Sequence, residues 1–463
     1  MKSSLLRTKP LAVLLGETTA EKHQLRRALG VWDLIALGIG CIIGVGIFVL
    51  PGVQAAQHAG PGIILSFAIA AAACACSALC YAELAAMIPV SGSAYTYGYA
   101  TLGELPAWII GWDLILEYMV AAVLVSTGWS YYAVDFLGKL GLHLPHGLCA
   151  SPWDKEPGSL NLPAVLVVVL LSALLIRGVK ESSRVNVVIV MLKLAVIVVF
   201  IVVAAPHVEA SNWKPFMPFG FSGVMTAAAI VFLAYVGFDA VSTAAEEARN
   251  PQRDMPIGIM GSLAVATVLY IAVAAIMTGC VPYTKLDVAG PVALVLNELG
   301  MPRVSLLTDA GAVAGITSVL LVLLLGQPRI LFSMSRDGLL PPFLATVHSR
   351  FKTPYLTTIA TGAIVSVAAA FTPIDVSSAL CSIGTLFAFL IVCAGVIVLR
   401  RTRPELVRPF RVPWFPVLPA LGIVLCAYLM VSLPGSAWVR FVIWLAIGLV
   451  IYASYGFRRS KVA

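Results

Sequence analysis

Charged residues are scarce in this sequence. Asp, Glu, Lys and Arg together make up 11% of its 463 residues, whereas hydrophobic residues make up 60%. A soluble domain carries roughly 25% charged and 45–50% apolar residues. The mean hydropathy is +0.97. Because so few charges could not cover the surface of a soluble protein, the composition excludes a disordered chain, a fibre, a disulfide scaffold and nearly any soluble enzyme. It indicates a polytopic membrane protein.

Twelve apolar stretches are long enough to cross a bilayer, which takes about 20 mostly apolar residues per helix. Segments of alternating hydrophobicity are absent, which excludes a membrane barrel. The sequence therefore predicts an all-α polytopic membrane protein with 12 transmembrane helices. These lie near 33–50, 62–88, 107–134, 160–177, 185–205, 222–245, 257–281, 304–328, 355–371, 376–399, 415–433 and 437–457.

Acidic residues are fewer than basic ones, 22 against 30, and the formal net charge is +8. With the N-terminus in the cytoplasm, 23 of the 30 basic residues fall on the inner side, 6 on the outer side, and Lys193 within a span. This positive-inside pattern explains the basic balance without any nucleic acid. An even number of spans puts both termini in the cytoplasm. Residues 1–32 lack the apolar core of a signal peptide and are interpreted as a cytoplasmic tail.

Histidine and cysteine do not form a metal-binding pattern. Most of the nine cysteines lie within spans, where a buried thiol behaves as a small hydrophobe. No histidine accompanies Cys74, Cys76 and Cys80, so we expect no metal and no other cofactor. Cys149 and Cys280 both lie near the outer face, and the sequence leaves open whether they pair.

Two spans contain residues that weaken a helix within the membrane. Gly44, Val45 and Gly46 lie near the middle of the first span and cost roughly 2 kcal/mol of helix propensity. Gly237 and Asp239 interrupt the sixth span. Close helix packing is one interpretation, since small residues let helices approach each other. The other is a pair of unwound segments in two five-span halves, as in an inverted-repeat transporter. Half-helix N-termini there would hold a substrate carboxylate, and free carbonyls an ammonium group.

Ionisable residues within the spans are the next candidates, because an intramembrane charge costs at least ~2.5 kcal/mol on insertion scales. The Lys193 ammonium group, deep in the fifth span, could replace a bound sodium ion as the coupling device. Glu117 in the third span is a candidate proton carrier or a group that orients the substrate amine. Asp239 could hydrogen-bond the amides of the broken helix or carry protons itself. Asp113 and Glu83 lie nearer the inner ends of their spans, where we expect pairing with a basic residue or a helix contact.

Several motifs occur in the inner loops and in the third and sixth spans. Residues 111–118 read Gly-Trp-Asp-Leu-Ile-Leu-Glu-Tyr and residues 237–243 read Gly-Phe-Asp-Ala-Val-Ser-Thr. Together with the motifs at 89–99, 103–108, 246–258 and 327–341, they resemble the amino acid–polyamine–organocation (APC) superfamily. Within it, they are similar to the cationic amino acid transporter branch and its bacterial-type amino acid permeases.

That resemblance covers roughly residues 28–460 and implies a division of the chain. The implied fold is a five-plus-five inverted repeat with discontinuous helices 1 and 6, plus two extra helices. Its parts are a cytoplasmic N-terminal tail over 1–32, a first repeat (spans 1–5) over 33–205, a second repeat (spans 6–10) over 206–400, and spans 11 and 12 with a short cytoplasmic C-terminus over 401–463.

The resemblance also implies roles for individual residues. Lys193 matches a fifth-span lysine that takes the place of sodium, and Thr317 and Ser318 match a hydroxyl-rich place near it. Leu323 matches a position that limits the size of the substrate side chain. Relatives often carry a hydroxyl residue in place of Val45 and an aromatic one in place of Leu233. The substrate carboxylate and amine would be held at Ile43, Gly44, Val45, Gly46, Leu233, Ala234, Tyr235 and Gly237.

The resulting hypothesis is a permease of the cytoplasmic membrane that imports a small or medium neutral L-amino acid with protons and without sodium. Leu233 and Leu323 favour a neutral substrate, whereas Glu117 leaves a cationic amino acid carrier open, and an amino acid exchanger is the other alternative. A membrane enzyme is disfavoured because the spans contain no His/Asp cluster, Ser-Lys dyad or metal motif. An ion channel is disfavoured because no filter-like loop is repeated. A transporter-like sensor would have the same site. The partners are then the amino acid, protons and the lipid bilayer, and nothing indicates a small single-span subunit.

Overall fold

The fold is known from a computed structural model. It describes residues 29–88, 93–154, 156–177, 183–243, 245, 248–288, 290–348, 351 and 353–460. The predicted tail 1–32 thus lies outside the described residues except for 29–32, as do residues 89–92, Glu246 and Glu247 of the motifs. The described residues form helices and two isolated bridges, with no strand. The prediction of an all-α chain is confirmed.

The main helices are numbered in chain order, and short helical turns connect several of them. They are α1 (Val31–Ile42), α2 (Val45–Phe48), α3 (Leu50–Gln54), α4 (Ile63–Met87), α5 (Ser93–Thr101), α6 (Glu104–Lys139), α7 (Leu162–Arg177), α8 (Ser183–Ala204), α9 (Gly220–Val231), α10 (Phe238–Thr243), α11 (Pro251–Cys280), α12 (Pro291–Glu298), α13 (Pro302–Arg336), α14 (Tyr355–Phe371), α15 (Ile374–Thr402), α16 (Val417–Val431) and α17 (Gly435–Ile451).

Seven described helical segments are long and apolar enough to cross a membrane, and five shorter apolar helices accompany them. Their outward faces are apolar as well: α8 exposes Val188 and Val202, and α17 exposes Val442. Apolar outward faces suit contact with lipid. A helix can lie in lipid because its backbone N–H and C=O groups are hydrogen-bonded within the helix. The chain is therefore a multi-pass membrane protein. The seven segments are Leu50–Met87, Glu104–Lys139, Val188–His207, Pro251–Cys280, Pro302–Arg336, Val376–Thr402 and Gly435–Arg459; the five are Val31–Ile42, Leu162–Arg177, Gly220–Tyr235, Tyr355–Phe371 and Val417–Val431.

Helix α6 lies at the centre of the bundle, packed against α13 and α15. Its Trp112 ring stacks on Trp444 of α17 with the ring centres 4.6 Å apart. Each indole N–H donates to the carbonyl of the other residue, at 2.8 and 3.0 Å. A buried indole needs such a partner, so this pair fixes α17 to the central helix.

Glu83 makes the helix contact expected of it. Its carboxylate receives two hydrogen bonds from the Arg400 guanidinium on α15, one of them at 2.9 Å from Nε to Oε1. The amide of Val412 donates to Oε2 at 2.7 Å. A bidentate Arg–carboxylate pair is among the stronger hydrogen-bonded contacts, and here it ties α15 and the loop after it to α4.

Two apolar stretches are interrupted as helices. The first stops at Ile42, passes through the extended residue Ile43 and restarts at Val45. The second tightens from α9 into a 3-10 turn over Phe232–Tyr235, becomes extended at Val236 and restarts at Phe238. Between them Gly237 has φ +122°, a conformation suited to glycine.

Candidate functional site

A cavity lies where the two interrupted helices face each other. Together with its open side, it spans about 690 Å³. Its wall comes from the α1–α2 break, the middle of α6, the segment between α9 and α10, and α13. The cavity therefore joins elements that are far apart in sequence.

The α1–α2 break supplies backbone groups to this cavity. Gly44, Val45 and Gly46 all line it. The amide of Ile47 donates to the Gly44 carbonyl at 3.1 Å, whereas the amides of Val45 and Gly46 meet no backbone acceptor among the described residues. The first amides of a helix have no partner within it. They are donors that a carboxylate in the cavity could use.

Glycine brings the two breaks into contact. A Cβ atom on Gly46 would lie 2.7 Å from the Cβ and 2.8 Å from the Cα of Ala234. A Cβ atom on Gly237 would lie 2.8 Å from the carbonyl carbon of Cys41. Neither position has room for a side chain, so the sequence Gly-x-Gly in the first span and Gly237 in the sixth allow the close approach.

Tyr270 of α11 bridges the same two breaks. Its hydroxyl oxygen lies 2.8 Å from the carbonyl oxygen of Ile42 and 2.6 Å from that of Ala234. A phenol carries one O–H group and can donate to one of these carbonyls at a time. The Tyr270 ring is fully buried and packs against Tyr235 and Phe67. This residue was not anticipated from the sequence.

Lys193 lies behind the first break and does not line the cavity. Its side chain is 0% exposed. Its Nζ donates to the carbonyls of Gly40 at 2.6 Å and Ile43 at 3.0 Å, and to the hydroxyl of Ser318 at 3.2 Å. An ammonium group has three protons to donate, so all three are used. The lysine closes the carbonyl end of α1 with a positive charge, where the helix dipole favours one.

Thr317 and Ser318 were both predicted to lie near this lysine, but they separate in the structure. Ser318 contacts Lys193, whereas the Thr317 hydroxyl accepts a hydrogen bond from the Trp129 indole at 2.8 Å and donates to the Val313 carbonyl at 2.6 Å. Adjacent residues of a helix point in different directions. The Thr317 hydroxyl thus fastens α13 to α6 and is not among the hydrogen-bond partners of the lysine.

Carboxyl groups approach the cavity from two helices. Glu117 of α6 and Asp239 of α10 both line it. One oxygen of Asp239 accepts a hydrogen bond from the amide of Gly237 at 3.1 Å, as one of its two predicted roles requires. Glu117 is 2% exposed, and its Oε2 has no hydrogen-bond partner among the described residues. Glu117 is therefore a cavity-lining residue whose carboxyl group has one unfilled acceptor among the described residues.

Asp113 lies one turn before Glu117 on α6 and does not pair with a basic residue. It is fully buried, and neither carboxyl oxygen has a hydrogen-bond partner among the described residues. The ion pair expected for Asp113 is therefore not found in that part of the chain.

The remaining wall of the cavity is apolar. Leu124 and Val125 come from α6, Leu233 from the 3-10 turn, and Val322 and Leu323 from α13. Such a surface favours an apolar group over a charged one. Both Leu233 and Leu323, which were predicted to contact the substrate, are part of this apolar wall.

Most of the predicted substrate-site residues thus meet at one cavity, and two do not line it. The Ile43 side chain is fully buried elsewhere and its carbonyl accepts from Lys193. The Tyr235 hydroxyl donates to the Phe67 carbonyl at 2.9 Å, away from the cavity. The predicted residues that line it are Gly44, Val45, Gly46, Leu233, Ala234, Gly237, Leu323, Glu117 and Asp239.

The open question about the outer cysteines has a clear answer in the structure. Cys149 and Cys280 are both free thiols. Cys280 donates instead to the Ala204 carbonyl at 3.3 Å. Within the described ranges, no cluster of His, Cys, Asp and Glu suits a metal ion.

Comparisons with known proteins place this chain in a family. The family model described as "Amino acid permease" matches residues 29–455. The branched-chain amino acid permease BcaP of Bacillus subtilis (strain 168) is 51% identical over 464 residues, covering 100% of this chain and 99% of that protein. The methylthioribose transporter of the same organism is 49% identical, covering 99% of each. BcaP of Lactococcus lactis is 38% identical, covering 96% of this chain and 97% of the relative.

These relatives first define a class of protein: a multi-pass membrane transporter rather than an enzyme. The match over residues 29–455 and the near-complete coverage of the relatives then settle the family. The chain belongs to the amino acid permease family of the APC superfamily, as its motifs predicted.

Proposed function

We propose that this protein imports a small or medium neutral L-amino acid with an apolar side chain across the cytoplasmic membrane, driven by protons and independent of sodium. The observation that carries the proposal is the cavity itself, which is lined by Val45 and Gly46, whose amides meet no backbone acceptor among the described residues, and by the apolar side chains of Leu233 and Leu323. The amides suit a carboxylate, and the wall suits an apolar side chain.

The proposed architecture has twelve spans. Each predicted span overlaps one of the seven long or five shorter apolar helices, which supports this count. Breaks near Gly44 and Gly237 at matching positions of 33–205 and 206–400 support the five-plus-five inverted repeat, with two extra helices after it. Both termini would then lie in the cytoplasm, as the distribution of basic residues favours.

The coupling proposal assigns different tasks to the buried charges. Lys193 holds the carbonyls at the first break, where another carrier would hold a sodium ion, so no sodium is needed. Glu117 and Asp239 line the cavity and would carry the protons that accompany the substrate. Closure of the outer side and opening of the inner side would follow protonation and substrate binding.

The names of the two BcaP relatives support an apolar cargo, whereas relatives from Arabidopsis thaliana are named cationic amino acid transporters. BcaP of Bacillus subtilis is a branched-chain amino acid permease, and another relative of that organism is a transporter of methylthioribose, which carries a thioether and no amino acid head group. The two breaks, with their amides and carbonyls, favour the amino acid here.

Uptake into proteoliposomes tests the proposal. The full chain is reconstituted, and labelled leucine, isoleucine, valine, alanine, arginine and methylthioribose are offered with and without an inward proton gradient, and with and without sodium. We expect uptake of the neutral apolar amino acids, enhanced by the gradient and unchanged by sodium. Uptake of arginine would favour a cationic amino acid carrier, and counterflow without net uptake would favour an exchanger. Uptake of methylthioribose alone would indicate a different cargo, and binding without uptake would indicate a sensor. Each of these results would overturn the proposal.

A further inference from the structure

We propose that Asp113 is a second proton-carrying carboxyl group, placed between Glu117 of the cavity and the inner end of α6. The inference rests on the proposed proton-coupled function. Asp113 does not line the cavity and makes no ion pair among the described residues, so neither substrate binding nor helix anchoring accounts for it.

Burial without a partner determines the protonation state of Asp113. Its side chain is 0% exposed, and both carboxyl oxygens lack a hydrogen-bond partner within the described part of the chain. An ionised carboxylate left unpaired in an apolar interior is so costly that such groups become neutral instead. In this conformation Asp113 is therefore a carboxylic acid that holds a proton.

The spacing of the two acids aligns them. Residues four apart on a helix lie on the same face, about 6 Å apart along the axis. Helix α6 starts at Glu104 on the predicted inner side, so Asp113 lies one turn closer to the cytoplasm than Glu117. The two carboxyl groups thus succeed each other along the line from the cavity to the inner face.

The surroundings of Asp113 favour a mobile proton over a fixed charge. Gly384 of α15 faces it so closely that a Cβ atom there would lie 2.9 Å from Oδ1. Among the described residues, the titratable groups that act on or respond to Asp113 are Glu117 on its own helix and the Cys381 thiol on α15, which donates to the Glu117 carbonyl at 3.6 Å. Among the described residues of α13, α15 and α17, no basic side chain pairs with it.

The proposed step conserves protons and breaks no other bond. When the inner side opens, the Asp113 acid releases its proton to cytoplasmic water and becomes a carboxylate. The Glu117 acid then transfers its proton to that carboxylate, which restores the Asp113 acid and leaves Glu117 ionised. Glu117 takes up a new proton from the cavity when the outer side next opens.

Asp113→Asn tests this step, because asparagine has the shape of aspartate but cannot release a proton. Wild-type and variant full chains are reconstituted, and two rates are compared: gradient-driven accumulation of labelled leucine, and leucine counterflow without a gradient. Counterflow needs binding and the conformational change but no net proton release. We expect accumulation to fall by at least about tenfold while counterflow stays within about twofold of wild type.

The controls separate this inference from the proposed function. Asp135→Asn, on the same helix but partly exposed and paired with Lys139, should leave both rates unchanged. The double variant Asp113→Asn/Glu117→Gln should accumulate as much leucine as the more impaired of the two single variants, because the effects of two groups on one proton path do not add. If Asp113→Asn does not fold, Asp113→Ser, which removes the acid and adds no volume beside Gly384, takes its place.

Three outcomes would overturn the inference. Unchanged accumulation in Asp113→Asn would show that no proton passes through this group. An equal loss of accumulation and counterflow in a folded variant would show that Asp113 supports the structure instead. Wild-type accumulation that ignores the gradient would refute the proposed function itself, before any variant is compared.

Discussion

Lys193 and Glu117 are both ionisable, both buried and both close to the break in the first helix, but their surroundings differ. Lys193 directs its three protons to the carbonyls of Gly40 and Ile43 and to the Ser318 hydroxyl. Glu117 keeps an oxygen without any partner among the described residues and lines the cavity. A charge whose hydrogen bonds are all made holds a backbone conformation, whereas one with an unfilled acceptor can take up a proton or a cargo group. Substitutions of the two residues should therefore have different effects on stability and on proton-coupled uptake.

The largest effect is expected for Lys193→Ala. It leaves the Gly40 and Ile43 carbonyls buried without donors, and each such group costs about 1–3 kcal/mol. We expect uptake to be lost and the melting temperature of the purified protein to fall. Lys285→Ala, which removes an exposed lysine paired with Glu298, should change neither measurement. Unaltered uptake in folded Lys193→Ala would contradict the role given to this lysine.

Glu117→Gln should separate coupling from stability. Glutamine keeps the shape of the neutral acid but cannot exchange a proton, so gradient-driven uptake should fall at least about tenfold. No satisfied hydrogen bond of Oε2 is lost, so the melting temperature should stay close to that of wild type. Uptake with and without a proton gradient and a melting curve are measured on one preparation. If Glu117→Gln lost much of its stability but its uptake still depended normally on the proton gradient, Glu117 would have the structural role that is assigned here to Lys193.

Tyr270→Phe extends the comparison to a neutral group at the same break. The hydroxyl contacts the Ile42 and Ala234 carbonyls, one on each interrupted helix. Its loss removes a hydrogen bond worth roughly 1 kcal/mol, so we expect the KM for the transported amino acid to rise about fivefold. Tyr428→Phe, on an exposed part of α16, serves as the control. A KM equal to that of wild type would mean that the two breaks do not depend on this contact.

The helical class, the two interruptions and the buried charges could be predicted because each leaves a local signal in the sequence, whereas Leu233, Ala234 and Leu323 were implied only by the resemblance to a family. Apolar runs longer than a soluble helix indicate spans, and glycine within such a run indicates an interruption, as at Gly44 and Gly237. Lys193 and Glu117 could be selected because a charge in an apolar run is costly. These features need only neighbouring residues to be recognised.

The contacts between distant spans could not be predicted in the same way. Tyr270 lies in an uninterrupted apolar run, where an aromatic ring is ordinary packing, and its two carbonyl partners exist only once both helices have broken. Asp113 looked like an interfacial residue because its depth depends on how α15 and α17 cover α6. The rotation of α13 relative to Lys193, which separates Thr317 from Ser318, is also set by packing.

The different positions of Thr317 and Ser318 relative to Lys193 lead to the smallest of the expected effects. Ser318→Ala removes one of three acceptors from Lys193, while the two carbonyls remain, so uptake should fall only about two- to fivefold. Thr317→Val keeps the side-chain shape and removes the acceptor of the Trp129 indole, so it should lower stability by about 1 kcal/mol and leave the rate of uptake near wild type. Initial uptake rates and melting curves of the two variants decide the matter, with each variant serving as the control for the other. Equal losses of uptake in both would mean that the lysine site includes Thr317 after all.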